Sequence, residues 1–188
     1  TVEGPVDIAP APAVEATIRA VEQGKSTGEG TATVRFKNAR GITREALKAM
    51  QAESDRPLTI RADSMSANGK QVQVRIEFDP ASVKKALNLH ASSTSEQARD
   101  IEAILAKQFE GPLQVVCCEQ RSFGQAVQIA VKLDADVLAS EKTVLYSYDA
   151  ATGACTQIDV KTRIDSNGYL RFASGSGGVV VVSTGEPK

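Results

Sequence analysis

The chain has 188 residues and 41% hydrophobic content, enough for one domain or for two small ones sharing a core. Its 22 basic and 23 acidic residues are interspersed and leave a net charge of −1, so the sequence offers no basic field for nucleic acid and no acidic tail. Aromatics are only 4%, without tryptophan, so Val, Ile, Leu and Ala must build the core, and no apolar run approaches the roughly 20 residues of a membrane-spanning helix.

Residues 1–12 hold Pro5, Pro10 and Pro12 among small residues and read as a tether, leaving 13–188 as a single α+β domain. The opening TVEGPVDIAPAPAV lacks the charged-then-apolar layout of an export signal, and whether one precedes it stays open. Val14, Ile18 and Val21 predict a helix over 13–23, with Pro12 at its start and Gly24 just past its end. A strand over 31–37 carries Ala32, Val34 and Phe36 on one face. A helix over 42–54 follows, capped by Thr43, with Ile42, Ala46, Leu47 and Met50 as its apolar stripe.

Pro57 precedes a strand over 58–62, which an Asn-Gly turn at 66–69 joins to a strictly alternating strand. In that strand Val72, Val74, Ile76 and Phe78 alternate with Gln73, Arg75 and Glu77, the period of two that one buried face requires. Residues 80–89 form a short helical or turn segment. Ser95 or Thr94 then caps a helix whose Ala98, Ile101, Leu105 and Phe109 face inward, and Gly111 ends it. Its charges (Glu96, Arg99, Asp100, Glu102 and Lys107) make a solvated outer side.

After a strand over 113–119 comes a second alternating strand, with Val127, Ile129, Val131 and Leu133 against Gln128, Ala130 and Lys132. It repeats the first at an offset of 55 residues, Gly69 matching Gly124 and Asp79 matching Asp134. This reads as internal duplication of a β-unit, with halves 31–90 and 111–184; the alternative is that any two amphipathic strands look alike. From 143 onward short strands joined by Gly-containing turns imply an antiparallel meander or sandwich, ending in an apolar strand over 179–182 buried on both faces. The expected fold is α+β: an antiparallel β-sandwich-like core carrying two or three helices.

The side chains offer no recognisable catalytic site. Ser122 lies in RSFGQ, which lacks the GxSxG spacing of a nucleophile elbow, and His90 is the only histidine. Asp134 and Asp136, two apart on a strand, with Glu141 downstream, have oxygens for calcium, but the Gly-containing calcium loop is absent and turn chemistry explains the aspartates. The Gly-rich 174–178 precedes a strand rather than a helix and lacks a following Lys-Ser or Lys-Thr, so it reads as a hairpin loop and not a phosphate loop. Cys117, Cys118 and Cys155 are either buried free thiols or supply one disulfide from Cys117 or Cys118 to Cys155; with a single His, zinc is excluded. No metal or cofactor is expected. The whole tyrosine content, Tyr146, Tyr148 and Tyr169, sits in the terminal β region, where exposed rings would stack on a sugar and buried ones would pack the core.

The stretches TATVRFKNARGITREALKAM, PLTIRADSMSANGK and QRSFGQAVQIAVKL, with the ending from TVLYSYD to GGVVVVS, resemble an uncharacterised domain near the C-termini of secreted or cell-surface proteins of clostridial gut bacteria. The resemblance covers about 31–184 and rests on a phrase of the form LYxYDxxTGxxxxI at 145–158 and on DxNGYxxF at 165–172. It implies an extracellular location and carries over no catalytic residues, and the three cysteines are not part of the pattern. The resulting expectation is a non-enzymatic extracellular module of a bacterial surface protein, structural, spacer or adhesive. Its partner would be a cell-wall or host glycan or a surface protein, with no nucleic acid and no membrane insertion. The alternative is a carbohydrate-binding or carbohydrate-processing accessory domain of a larger secreted enzyme.

Overall fold

Alternating core and polar side chains fold the chain into two facing sheets around one core, in a computed structural model that describes residues 6–140 and 142–188. The first elements are β1 (Val6–Ile8), α1 (Pro10–Thr27), β2 (Ala32–Lys37), β3 (Ala39–Ile42) and α2 (Arg44–Ala52). The expected tether is thus structured from residue 6: β1 pairs in parallel with β3, Ile8 is buried, and the helix opens at Pro10, where a missing N–H is harmless. Residues 1–5 lie outside the described residues.

α1 also faces the core differently from expectation. Its buried stripe is Ala13, Thr17, Val21 and Gly24, whereas Ile18 is 40% exposed. Small residues let the helix lie close to its neighbours, and the Thr17 hydroxyl is satisfied by donating to the Ala13 carbonyl at 2.8 Å. α1 continues past Gly24 to a left-handed cap at Gly28 (φ 74°). α2 matches its expected stripe, with the Thr43 hydroxyl accepting from the Ala46 N–H at 3.1 Å, although Ile42 belongs to β3.

β4 (Leu58–Met65) and β5 (Val72–Phe78) form the hairpin closed by the Asn-Gly turn. A 3-10 turn over Pro80–Ser82 leads to the short strands β6 (Leu87–Asn88) and β7 (Ala91–Ser92). Helix α3 (Glu96–Leu105) is capped by the Ser95 hydroxyl, which accepts from the Ala98 N–H at 3.2 Å. β8 (Leu113–Cys118), β9 (Ser122–Lys132) and the single turn α4 (Ala135–Leu138) follow, then β10 (Val144–Asp149), β11 (Ala154–Gln157), β12 (Arg163–Ile164), β13 (Tyr169–Ser176) and β14 (Val179–Ser183).

The six-stranded sheet has the order β12-β13-β9-β5-β4-β2, the five-stranded one β11-β10-β14-β8-β7, and a small sheet β1-β3-β6 stands apart from both. Pairing is antiparallel except for β1 with β3 and β2 with β4. Ile60, Ile76, Ile129 and Leu170 from one large sheet and Val116, Leu145, Val180 and Val182 from the other share the core, as a sandwich requires. Buried Gln114 ties the two layers, donating to the Lys132 carbonyl and accepting from the Asp134 N–H, both at 2.8 Å. α3 covers the far face of the five-stranded sheet, where Ala98, Ile101, Leu105 and Phe109 meet Val115, Tyr146 and Val181. The central strands β8 and β14 are therefore buried on both sides.

The segment expected to be a hairpin loop before β14 is instead a step from one sheet to the other. Gly177 passes so close to Gln120 that a Cβ would stand 1.9 Å from its carbonyl oxygen, which only glycine permits. The expected duplication is not confirmed: β4 and β5 pair within one sheet, whereas β8 and β9 lie in different sheets.

Candidate functional site

The outer face of the six-stranded sheet gathers charge that composition conceals. Strand register lines up Lys37, Asp63, Arg75, Ala130, Arg171 and Arg163 across all six strands. A second line holds Arg35, Arg61, Glu77, Gln128 and Ala173, and Lys132 pairs with Tyr169 beside the first. Seven cations (Arg35, Lys37, Arg61, Arg75, Lys132, Arg163 and Arg171) meet three carboxylates (Asp63, Glu77 and Asp165), a surplus of four positive charges. The even charge mixture read from the sequence is thus uneven in space.

Every one of these carboxylates is held by arginine. Asp63, whose side chain is fully buried, accepts from Arg75 Nε at 2.6 Å and Nη2 at 3.1 Å, and Arg35 Nε lies 3.3 Å from it. That hydrogen-bonded carboxylate raises the Arg75 guanidinium above its ordinary value against the opposing effect of burial. Asp165 sits in the turn before β13 and accepts from Arg171 Nε at 2.7 Å and from the N–H groups of Asn167 (2.9 Å) and Tyr169 (3.1 Å). Desolvation pushes the Asp165 carboxyl up, but Arg171 and the two N–H groups outweigh it and hold it below the usual range. Glu77 faces Arg61 at 3.4 Å and Arg171 at 4.0 Å, and Arg61 Nε is buried without a hydrogen-bond acceptor.

Ala130 shapes the site. It lies between Arg75 and Arg171 on the same line, and its short side chain leaves a depression of 420 Å³ lined by these three with Lys132, Tyr169, Gln71 and Asn167. Lys132 Nζ donates to the Asn167 carbonyl and stands over the Tyr169 ring, 5.1 Å from its centroid. The Tyr169 hydroxyl donates to the Val72 carbonyl at 2.7 Å, which fixes the ring on the rim. Two guanidiniums, an ammonium and two side-chain amides thus converge on one hollow, a donor set for oxyanions.

The three tyrosines form no common platform. Tyr146 is buried under α3 and meets the Phe109 ring edge-on at 5.0 Å, so it packs the core. Tyr148 is half-buried on the same face, and Tyr169 belongs to the other large sheet. The cysteine pairing expected as one alternative does not form, and all three thiols are free. Cys117 and Cys155 share a face, but Val179 and Tyr148 stand between them in the ladder. Three strand spacings put them about 14 Å apart, well beyond the roughly 7 Å between Cα atoms that a disulfide spans. Cys118 points into the main core, and burial pushes its thiol up to about 12.

Asp134 and Asp136 do not share a strand face, because Asp134 precedes α4 and Asp136 lies in its turn. Burial and Asp136 push the Asp134 carboxyl up; burial, Asp134 and Asp136 do the same to Glu102. Among the described residues no three metal-ligating side chains are grouped to hold an ion, and Glu141 lies outside them. Ser122 is exposed and accepts from the Gly124 N–H at 3.3 Å in its turn, while half-buried His90 keeps an unpartnered Nδ1.

Arg75, Lys132 and Arg171 were not singled out in the sequence. Their one signal was occupancy of the polar positions of alternating strands. No family model matches the chain, and no curated protein is detectably similar to it in sequence.

Proposed function

We propose that the chain is a non-enzymatic binding module that holds an anionic group of a glycan in the depression over Ala130, as part of an extracellular protein at a bacterial surface. The observation that carries the reading is the placement of Arg75 and Arg171 on either side of Ala130, with Lys132 beside them. Guanidinium N–H groups pair with two oxygens of a carboxylate or of a sulfate, and the Gln71, Asn167 and Tyr169 rim adds the polar edges that sugar hydroxyls use. Binding is favoured over processing of the carbohydrate because the carboxylates on this face are engaged by arginines, leaving none as a free acid–base pair. The surface location follows from the resemblance at 145–158 and 165–172.

Calorimetric titration with digalacturonate, and with a neutral disaccharide as control, tests the site. Wild type should bind only the acidic sugar, and Arg171→Gln and Lys132→Gln should each weaken binding while leaving the unfolding transition cooperative. Equal binding of both sugars, or wild-type affinity in both variants, would overturn the assignment. Absence of any binding would return the module to a purely structural or spacer role.

A further inference from the structure

We infer that the ligand is a linear acidic polysaccharide lying across the strands from Lys37 to Arg163, an inference that rests on the anionic-glycan reading above. The cations do not stop at the rim of the depression. The register line through Arg75, Ala130 and Arg171 continues to Lys37 on one edge strand and to Arg163 on the other. Both end residues are exposed, and neither makes an ion pair among the described residues. Five spacings of about 4.8 Å set them about 24 Å apart, far more than one sugar unit can bridge.

The floor of this path suits a chain. The short side chain of Ala130 leaves the line low between the guanidiniums of Arg75 and Arg171, and on the neighbouring line the uncharged pair Gln128 and Ala173 lies beside it. Asp63, the carboxylate on the line itself, is buried beneath Arg35 and Arg75 and presents no bare anion to a passing polymer. Anions repeating along one chain would meet cations repeating along one line, and exchange of small counterions makes such an array stronger than its single contacts. Single-stranded nucleic acid is the other common linear polyanion, but it uses aromatic platforms for its bases. This face has one aromatic, Tyr169, whose hydroxyl is tied to Val72 and whose ring sits against Lys132.

The test compares digalacturonate with oligogalacturonates long enough to span the sheet, a sulfated dextran, and an oligothymidylate of matched charge. The full chain and a Lys37→Gln/Arg163→Gln variant are titrated with each. The long oligomers or the sulfated dextran should bind at least about tenfold tighter than digalacturonate. The double variant should lose most of that gain and keep the affinity for digalacturonate. If digalacturonate binds in an Arg171-dependent way but longer chains bind no tighter, the polysaccharide inference fails while the site stands. Failure of every acidic sugar to bind refutes both, and tighter binding of oligothymidylate would replace the polysaccharide with a nucleic acid.

Discussion

Replacing Arg75 with methionine isolates what the buried carboxylate on the basic face contributes. Asp63 has a fully buried side chain and receives two hydrogen bonds from Arg75, while Arg35 approaches it from a side chain that is itself 48% exposed. Removing one partner of a buried pair costs about 3–5 kcal/mol, because the remaining charge is stranded. Arg35 still reaches Asp63, which places the expected loss near the lower end, about 3 kcal/mol. For a domain of this length that is a fall of about 6–12 °C in Tm. Asp63→Asn should cost less, about 1–2 kcal/mol, because the guanidiniums it releases lie at a surface where water can replace the carboxylate. Urea unfolding followed by far-UV circular dichroism on both single variants and the double variant gives the coupling energy directly. Single losses that simply add in the double variant, or an Asp63→Asn loss larger than that of Arg75→Met, would refute the reasoning.

Glu102→Gln should stabilise the fold at neutral pH. The folded-state value of this carboxyl is raised by burial and by Asp134 and Asp136, so its ionised form is a liability that is full above the folded value and gone below the unfolded one. The advantage seen in urea midpoints should fade as pH falls through that window; an advantage that persists in strong acid would contradict this origin. Titration with an aromatic disulfide reagent should find all three thiols free after unfolding, while native protein leaves Cys118 unreacted because its thiolate does not form in the core. A native, reductant-sensitive shift in Tm would show a disulfide that the ladder geometry forbids.

How much of this was legible in the sequence depends on how far each feature reaches along the chain. β5, β9 and the stripe of α3 are local patterns, and the Ser95 and Thr43 caps are local chemistry, so each is recoverable from neighbours in sequence. α1 misled because, of its large apolar residues, Val21 packs but Ile18 faces solvent, and close approach added Ala13, Thr17 and Gly24 to the buried stripe. The basic face was hidden for another reason. Each strand supplies only one or two cations between core residues, and only the registers of six strands, from residue 32 to residue 176, bring Lys37, Arg75 and Arg171 into one line. Tyr146 and Tyr148 share a strand face as the alternation implies, but the helix that covers Tyr146 arrives from residues 96–105, outside any local window.

The last step between sheets governs how the protein can be made. The chain crosses directly between the two large sheets from β8 to β9, from β9 to β10, from β11 to β12 and finally, through Gly177, from β13 to β14. β14 is the strand that joins β8 to β10, so on a ribosome those two remain unpaired on one side until the last strand has emerged. The hydrophobic segments 113–118 and 144–149 are thus open edges from the time each is made until 179–183 follows. Vectorial synthesis consequently leaves the sandwich vulnerable to aggregation until its final strand arrives, and truncation before residue 179 should yield an insoluble chain rather than a smaller domain.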